Sequence, residues 1–246
     1  MAATATNTMF GFVRTYVMLA VAGSAVAAGG QVAGYDAPQL VTYVWAGQGL
    51  IGVVALWGWT ELADRIRSGD VVTDLLRPVH PVLGYLLPDL GRAAYALLTR
   101  FVVPVAVGGL VFDMYLPQRA ATYPLFAASV LLAVLVCFAG RFLVNAAGYW
   151  LLDTRGVLMG WAVCAGMLGG LYFPIRFLPD GLAAAVYLGT PFPSVLQIPL
   201  DVLVERDPPA GQLGLLGIQA LWAGLLLTAC VLVQRRAERR LVVQGG

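Results

Sequence analysis

The sequence contains no lysine, since all 15 of its basic residues are arginine. A phosphate-binding loop for ATP needs a lysine before its Ser or Thr, so we do not expect this chain to hydrolyse ATP itself. The same absence excludes a Schiff-base lysine and the phosphate-binding lysine of protein kinases.

Histidine and cysteine are also scarce. The single histidine, His80, excludes zinc sites that need a histidine pair. Cys137, Cys164 and Cys230 lie inside apolar runs without C-x-x-C spacing, which indicates neither a disulfide framework nor a thiolate metal site. We therefore expect a non-catalytic chain that binds no metal and no cofactor of its own.

Charged residues make up only 11% of the 246 residues, whereas hydrophobic residues make up 60%. The mean hydropathy of +0.81 is typical of a membrane protein and not of a soluble domain. The length leaves room for one domain, which we assign to residues 1–246.

Six apolar runs approach the length of about 20 residues that a helix needs to cross the hydrocarbon core. We predict an all-α integral membrane protein with six transmembrane helices. The third run is the weakest, because Arg100 interrupts it and Pro104 is expected to kink it. The predicted spans are residues 16–34, 41–59, 93–116, 125–141, 157–174 and 213–234.

The first run also resembles a signal peptide. Arg14 precedes an apolar stretch, and Ala25-Val26-Ala27 imitates a cleavage site for a signal peptidase. We favour a retained membrane span over this alternative.

The arginines favour an orientation with both termini in the cytoplasm. In this orientation only Arg119, Arg176 and Arg206 lie outside, which agrees with the positive-inside rule. The arginines counted near or within the cytoplasmic side are Arg14, Arg65, Arg67, Arg77, Arg92, Arg100, Arg141, Arg155, Arg235, Arg236, Arg239 and Arg240.

A further apolar stretch, residues 181–204, is interrupted by prolines. They divide it into pieces of about ten residues or fewer, each reaching at most about 15 Å as a helix, which is half a crossing. We predict a re-entrant or interfacial hairpin that enters from the outside between spans five and six. The residues that define this hairpin are Thr190, Pro191, Phe192, Pro193 and Pro199.

The longest polar segment follows the second span. We expect it to extend that span as a helix, break at the Ser68-Gly69 turn, and form a short helix from Val71 to Leu76 with Asp70 as its N-cap. Pro78 ends this helix, because it forces Arg77 out of helical geometry. The pattern predicts one apolar face (Val71, Val72, Leu75, Leu76) and one polar face (Thr73, Asp74).

Two interpretations of this loop remain open. It is either a solvated loop whose arginines only set the topology, or a rigid segment that lies on the membrane or docks on a partner.

Arg141, the one ionisable residue well inside a strongly apolar run, is about 24 Å from the outer end of its span at 1.5 Å per residue. For Arg141 we favour an interfacial anchor over the alternative of a substrate ligand.

Several short motifs together resemble the ABC type-2 transporter permease family. They extend in the same order from the first loop to the C-terminus, so the resemblance covers nearly the whole chain. The motifs are Arg67-Ser68-Gly69-Asp70, Leu75-Leu76-Arg77-Pro78, Phe173-Pro174, Phe177-Leu178-Pro179, Thr190-Pro191-Phe192 and Arg239-Arg240-Leu241-Val242-Val243-Gln244-Gly245-Gly246.

The resemblance implies the membrane subunit of an ATP-driven exporter in the cytoplasmic (plasma) membrane. Its partners would be two copies of an ATP-binding-cassette ATPase subunit, which hold ATP and Mg, and a second permease chain, identical or related. The resemblance does not imply a nucleic-acid partner. The first loop would be the coupling helix on the ATPase, with contacts from Arg65, Arg67, Ser68, Gly69, Asp70, Asp74, Arg77 and Pro78. The hairpin would correspond to the re-entrant outer helices of such permeases.

The scarcity of charge in the spans suggests an amphipathic, lipid-like or drug-like substrate. Other functions remain as alternatives. An ion-coupled carrier would need acids near mid-membrane, whereas Asp113 lies at the outer end of span three and no Glu lies in a span centre. An intramembrane enzyme would need a nucleophile and a base together, and the spans offer Ser24 and Ser129 but no histidine. A passive membrane assembly subunit is a third alternative.

Overall fold

The computed structural model describes residues 2–27, 32–151 and 153–244. Within these ranges the chain is helical and forms no β-strand, apart from an isolated antiparallel bridge between Val32 and Tyr35. This confirms the all-α class. The α-helices are α1 (Ala2–Ala27), α2 (Ala37–Val54), α3 (Glu61–Ser68), α4 (Val71–Leu75), α5 (Pro81–Ala96), α6 (Val102–Val111), α7 (Thr122–Ala146), α8 (Arg155–Leu168), α9 (Asp180–Gly189), α10 (Gln197–Leu203) and α11 (Pro209–Gln244).

Three helices of the described chain are long and apolar enough to cross a membrane, namely Pro81–Val111, Thr122–Tyr149 and Pro209–Arg239. Met9–Ala20 and Arg155–Leu168 are shorter apolar helices. The count of six crossings and the cytoplasmic termini therefore stay predictions.

The third predicted span begins earlier than expected, because α5 and α6 form one helix of 31 residues through a π-helical turn at Leu97–Phe101. Pro81 occupies its first turn, where a missing N–H costs nothing, and the His80 side chain accepts a hydrogen bond from the Val82 N–H at 3.3 Å. Pro104 leaves the Arg100 carbonyl without its i+4 donor, and the π turn lies at this point. The helix therefore begins 12 residues before the predicted start of the third span at residue 93, and that predicted start was wrong.

α1 covers different residues from the first predicted span, since it runs from Ala2 to Ala27 and not over 16–34. Residues 28–31 of that prediction lie outside the described residues. Arg14, which the charge count placed at the cytoplasmic end, lies near the middle of α1.

α2 lies at the centre of the bundle. Tyr43, Trp45 and Leu50 are completely buried, and most of the helix is shielded from solvent. Asp36 and Gln39 form a capping box at its start, with both hydrogen bonds at 2.9 Å. The helix ends at Val54, where Ala55 adopts a left-handed conformation. The expectation that the polar loop extends this span directly was therefore wrong.

α7 and α11 pack along each other, and α10 with the turn before it contacts both. The Ser129 hydroxyl donates to Gln219 Oε1 at 2.8 Å, and Gln219 Nε2 donates to the Ser194 carbonyl at 2.9 Å. Small and polar residues of this kind stabilise helix contacts where water is absent.

The proline-interrupted stretch folds as predicted into two short helices, α9 and α10, joined through a 3₁₀ turn at Phe192–Ser194. α10 is buried almost completely, whereas Leu182 and Leu188 of α9 are more than half exposed. The hairpin therefore packs on the bundle mainly through its second helix.

Candidate functional site

The loop between α2 and α5 consists of α3, a glycine turn and α4. Gly69 has φ = +84°, a left-handed conformation that favours glycine, and its N–H donates to the Ile66 carbonyl. The predicted turn at Ser68-Gly69 and the short helix after it are confirmed, with α4 ending one residue earlier than expected. Asp70 lies at the N-cap position, but its side chain accepts from Ser68 Oγ at 2.8 Å and does not cap α4.

A partly buried ion pair connects α3 to α4. Arg65 donates from Nε to Asp74 Oδ2 at 2.9 Å and from Nη2 to Asp74 Oδ1 at 2.8 Å. The Tyr85 hydroxyl of α5 donates to the same carboxylate at 2.6 Å. The hydrogen bonds to Asp74 raise the pKa of Arg65 above its ordinary value. Such bidentate geometry fixes the two partners rigidly, so the loop is braced to the bundle.

The two faces of α4 differ from the prediction. Val71 and Asp74 form the buried face, whereas Val72 is 50% exposed and Leu76, just after the helix, is 82% exposed. The Leu75 side chain lies outside the described part of the structure. The predicted separation into an apolar and a polar face was wrong, because Arg65 and Tyr85 bind the Asp74 carboxylate on the buried side of the helix. The exposed surface of the loop therefore combines the apolar side chains of Val72 and Leu76 with charged and polar side chains.

The other predicted loop residues lie at this surface. Arg67 pairs with Asp64, and both side chains are more than half exposed. Arg77 is 69% exposed, and its Nε lies 3.9 Å from Asp74 Oδ1. Pro78 is exposed beyond it. Exposed ion pairs of this kind contribute little to stability, because solvent screens them. Arg77 is therefore available for other contacts.

A cavity of about 390 Å³ lies behind the loop, between α4 and the first turns of α5. Asp74, Tyr85, Asp89 and Arg92 contribute to its wall. The cavity connects the braced loop to charged residues deeper in the bundle.

Asp89 is the centre of these deeper charges. Arg92 Nε donates to Asp89 Oδ1 at 2.8 Å, and Arg141 Nη2 donates to Asp89 Oδ2 at 2.7 Å. Arg92 also donates to the carbonyls of Gly52 and Val53, which lack helical partners at the end of α2. Arg141 is only 2% exposed, so the interpretation of Arg141 as a snorkelling anchor was wrong.

Two acids at the opposite end of the bundle are also buried. Asp201 of α10 accepts hydrogen bonds from the hydroxyls of Tyr35 and Tyr187 and, at 2.8 Å, from Gln197 Nε2. Arg176 lies 3.6 Å from the same carboxylate. Asp201 therefore joins the hairpin to the turn before α2.

Glu205 joins the loops at this end. Its carboxylate accepts from the Tyr115 and Thr122 hydroxyls and from the backbone N–H groups of Gln118 and Arg119. Burial alone would raise the pKa of Glu205, but the hydrogen bonds outweigh it and lower that pKa to about 2. Glu205 is therefore ionised in the folded protein.

The hairpin residues predicted from the sequence lie together in the 3₁₀ turn and the adjoining helix ends. The Thr190 hydroxyl donates to the Val186 carbonyl at 2.8 Å, and the Phe192 ring lies 5.6 Å from the Trp161 ring of α8. Pro191 and Pro193 bound the turn, and Pro199 is buried within α10.

Sequence reasoning missed Asp89, Arg92, Asp201 and Glu205 as buried groups. For Asp89 and Arg92 a signal existed, because an acid and a base three residues apart in an apolar stretch lie on one helix face. Within the described ranges no group of three His, Cys, Asp or Glu side chains is placed to hold a metal ion.

Three helices long and apolar enough to cross a membrane are typical of an integral membrane protein. The family described as ABC-2 family transporter protein matches residues 12–245 of the chain. The chain belongs to this family, and as such it is a membrane permease subunit of an ABC transporter. Comparison with the curated proteins and with the solved structures gives no match.

Proposed function

We propose that this permease subunit is the transmembrane part of an exporter in the plasma membrane, driven by ATP that separate subunits hydrolyse. Two ATPase subunits would bind ATP and Mg, and a second permease chain, identical or related, would complete the pathway. The family membership supports the ATPase partnership.

The observation that carries this proposal is the braced loop, which exposes two apolar side chains among charged ones. The Arg65–Asp74 ion pair and Tyr85 hold α4 against the bundle, while Val72 and Leu76 are exposed beside Arg77. A protein surface that is rigid, apolar at its centre and charged at its rim resembles an interface core. In this proposal, closure of the ATPase pair on ATP pushes the loop, and the loop moves α5 through Tyr85 and Asp89.

The opposite end supports alternating access. The hairpin of α9 and α10 is broken by prolines and packs on the bundle, which is tolerable at membrane depth where the irregular backbone is buried in protein. We propose that it closes the outer end of the pathway. An amphipathic or lipid-like substrate suits a bundle whose described spans carry little charge outside the paired groups.

The ion-coupled carrier remains the alternative, since buried acids do exist in this bundle. Asp89 is paired with two arginines, and Asp201 accepts three hydrogen bonds within the protein. Because both carboxylates are engaged by donors, they favour a structural role over ion coupling.

Leu76→Asp tests the proposed interface. The substitution places a charge in the apolar surface without touching the Arg65–Asp74 pair, so we expect the ATPase subunit to co-purify at least about tenfold less well. Leu116→Asp is the matched control, because Leu116 is 69% exposed in the loop after α6. Equal co-purification of wild type and Leu76→Asp would exclude the loop as the docking surface.

Arg77→Glu tests coupling separately from assembly. It reverses a charge at the rim and leaves the apolar surface intact, so we expect the complex to form while export falls several-fold. Arg235→Glu is the control, because Arg235 is an exposed arginine of α11. Unchanged export and unchanged ATPase stimulation would show that Arg77 does not couple ATP hydrolysis to the conformational change of the permease.

A further inference from the structure

Three arginines near the end of α11 share one face of this helix. Arg235, Arg236 and Arg239 are exposed, and together with Leu232 they surround an open cavity of about 320 Å³. At 3.6 residues per turn, these four residues fall within a sector of about 100° around the helix axis. Gln234, on the opposite side of the helix, is only 1% exposed. The cavity and its arginines therefore face away from the bundle.

The charge of these arginines is not balanced by the acid nearest to them in the sequence. Glu238 is the one acidic residue among residues 208–246. Its Oε1 accepts a hydrogen bond from Gln234 Nε2 at 3.2 Å, which holds the carboxylate on the side away from the cavity. Arg235 and Arg239 are like charges four positions apart, so they repel each other. An anion bound between them would remove this repulsion, and the cavity is therefore complementary to a negatively charged group.

An apolar stripe leads directly to the cavity. Leu221, Leu225 and Leu232 lie on the same side of α11 as the arginines, and each is more than half exposed. The other side of α11 packs against α7 and includes Cys230 and Ala237, which are completely buried. Because α11 is long and apolar enough to cross a membrane, the leucine stripe is expected to face lipid hydrocarbon.

The arginines follow the stripe at the depth expected of lipid head groups. The large exposed hydrophobic residues of α11 extend from Leu213 to Leu232, a separation that corresponds to about 28 Å of helix. The hydrocarbon core of a membrane is about 30 Å thick. Helical side chains lean toward the N-terminus of their helix, so the guanidinium groups of Arg235 and Arg236 lean back toward Leu232. A lipid phosphate among the arginines would therefore place its acyl chain along the leucines.

We propose that this face of α11 binds an anionic phospholipid, with its phosphate among the three arginines and an acyl chain along Leu221, Leu225 and Leu232. Guanidinium groups bind phosphate through paired, charge-assisted hydrogen bonds. Arginines at the cytoplasmic end of a membrane helix attract anionic lipids of that leaflet, and the predicted orientation places the end of α11 there. The inference goes beyond the proposed transport function and assigns these arginines no part in coupling or export.

Native mass spectrometry of the full chain in an uncharged detergent tests the proposal. The probe is dioleoyl phosphatidylglycerol, and dioleoyl phosphatidylcholine is its counterpart without net charge. We expect the wild type to bind the first phosphatidylglycerol at least about tenfold more tightly than phosphatidylcholine, because each arginine contributes about fivefold near an anionic head group. In the double variant Arg236→Gln, Arg239→Gln the affinity for phosphatidylglycerol falls at least about tenfold for the same reason, while that for phosphatidylcholine stays unchanged.

The matched control is the double variant Arg67→Gln, Arg155→Gln, which removes two exposed arginines from the loops at the same end of the bundle. It should bind phosphatidylglycerol as the wild type does, because neither residue lines the cavity at the end of α11. The charge-conserving variant Arg236→Lys, Arg239→Lys should keep the preference for phosphatidylglycerol, since the positive charge at the head group is retained.

Equal binding of the two lipids by the wild type would overturn the proposal. An equal loss of phosphatidylglycerol binding in the control would do the same, because it would indicate a general attraction to surface charge. Unchanged lipid binding in the Arg236→Gln, Arg239→Gln variant, together with loss of the ATPase subunit or of a second permease chain on purification, would assign this face to a protein partner. Displacement of the phospholipid by glycerol phosphate at equal concentration would also overturn it, because the leucine stripe would then contribute nothing.

Discussion

At the scale of single residues, buried charge determines how this bundle is held together. Asp89 accepts from two arginines, and through Arg92 it also reaches the last carbonyls of α2. One carboxylate therefore connects α2, α5 and α7. In a low-dielectric interior such a group stabilises the fold only while all of its partners are present.

Asp89→Asn is expected to destabilise the protein by about 3–5 kcal/mol, because it leaves Arg141 buried without its counter-ion. Thermal unfolding of the purified chain measures this effect. Asp180→Asn is the control, because Asp180 is exposed at the start of α9. A loss at Asp89 no larger than at Asp180 would show that the ion pair does not carry stability.

Glu205 predicts a pH dependence. Its pKa is lowered to about 2 from an ordinary value of 4.5, so its contribution is complete above pH 4.5 and is lost as the pH falls from there to about 2. The free energy of unfolding should therefore decrease across this window in the wild type. Glu205→Gln should show a smaller decrease, and identical pH profiles would contradict the role assigned to the carboxylate.

At the scale of elements, the sequence was informative where the determinants are local. The Ser68-Gly69 turn, the short helix after it and the proline-broken hairpin depend on residues within a few positions of one another, and all three are observed. The burial of Asp74 was not predictable from α4 alone, because its partners come from α3 and α5. The burial of Asp201 was even less predictable from its own helix, because its hydrogen-bond partner Tyr35 lies 166 positions away in the chain.

The helix ends were predictable only in part for the same reason. Pro104 signalled an irregularity, but the π turn that joins α5 to α6 depends on how this helix packs against α2. The predicted second span extended past Val54. Nothing in the local sequence shows that Arg92 donates hydrogen bonds to the last carbonyls of α2 and so allows the helix to end there.

The loop of α3 and α4 and the hairpin of α9 and α10 are expected to face opposite sides of the membrane. In a chain with its own cysteines replaced by serine, Thr190→Cys should react with an impermeant maleimide added outside, and Leu76→Cys only with reagent added to the cytosolic side. Leu76 is 82% exposed, and Thr190 lies at the hairpin bend, which suits both positions for labelling. Reaction of both cysteines from one side would contradict the orientation.

At the scale of the whole molecule, the bundle has a braced loop at one end and a buried-acid network at the other. Asp89 and Tyr85 lie on the same helix and connect the loop to the interior, whereas Asp201 and Glu205 hold the hairpin and the adjoining loops. This layout suits a machine that receives force at one end and opens at the other. Composition and spacing indicated such a bundle, but not the buried charges at each of its ends.

Reconstitution of the purified permease in vesicles, with and without its ATPase subunit, tests this account most directly. The movement of a fluorescent amphiphile is measured with ATP present. We predict movement only when the ATPase subunit is bound and ATP is hydrolysed. Movement of the amphiphile at the same rate by the permease alone would contradict the central claim that this chain transmits energy supplied by a partner.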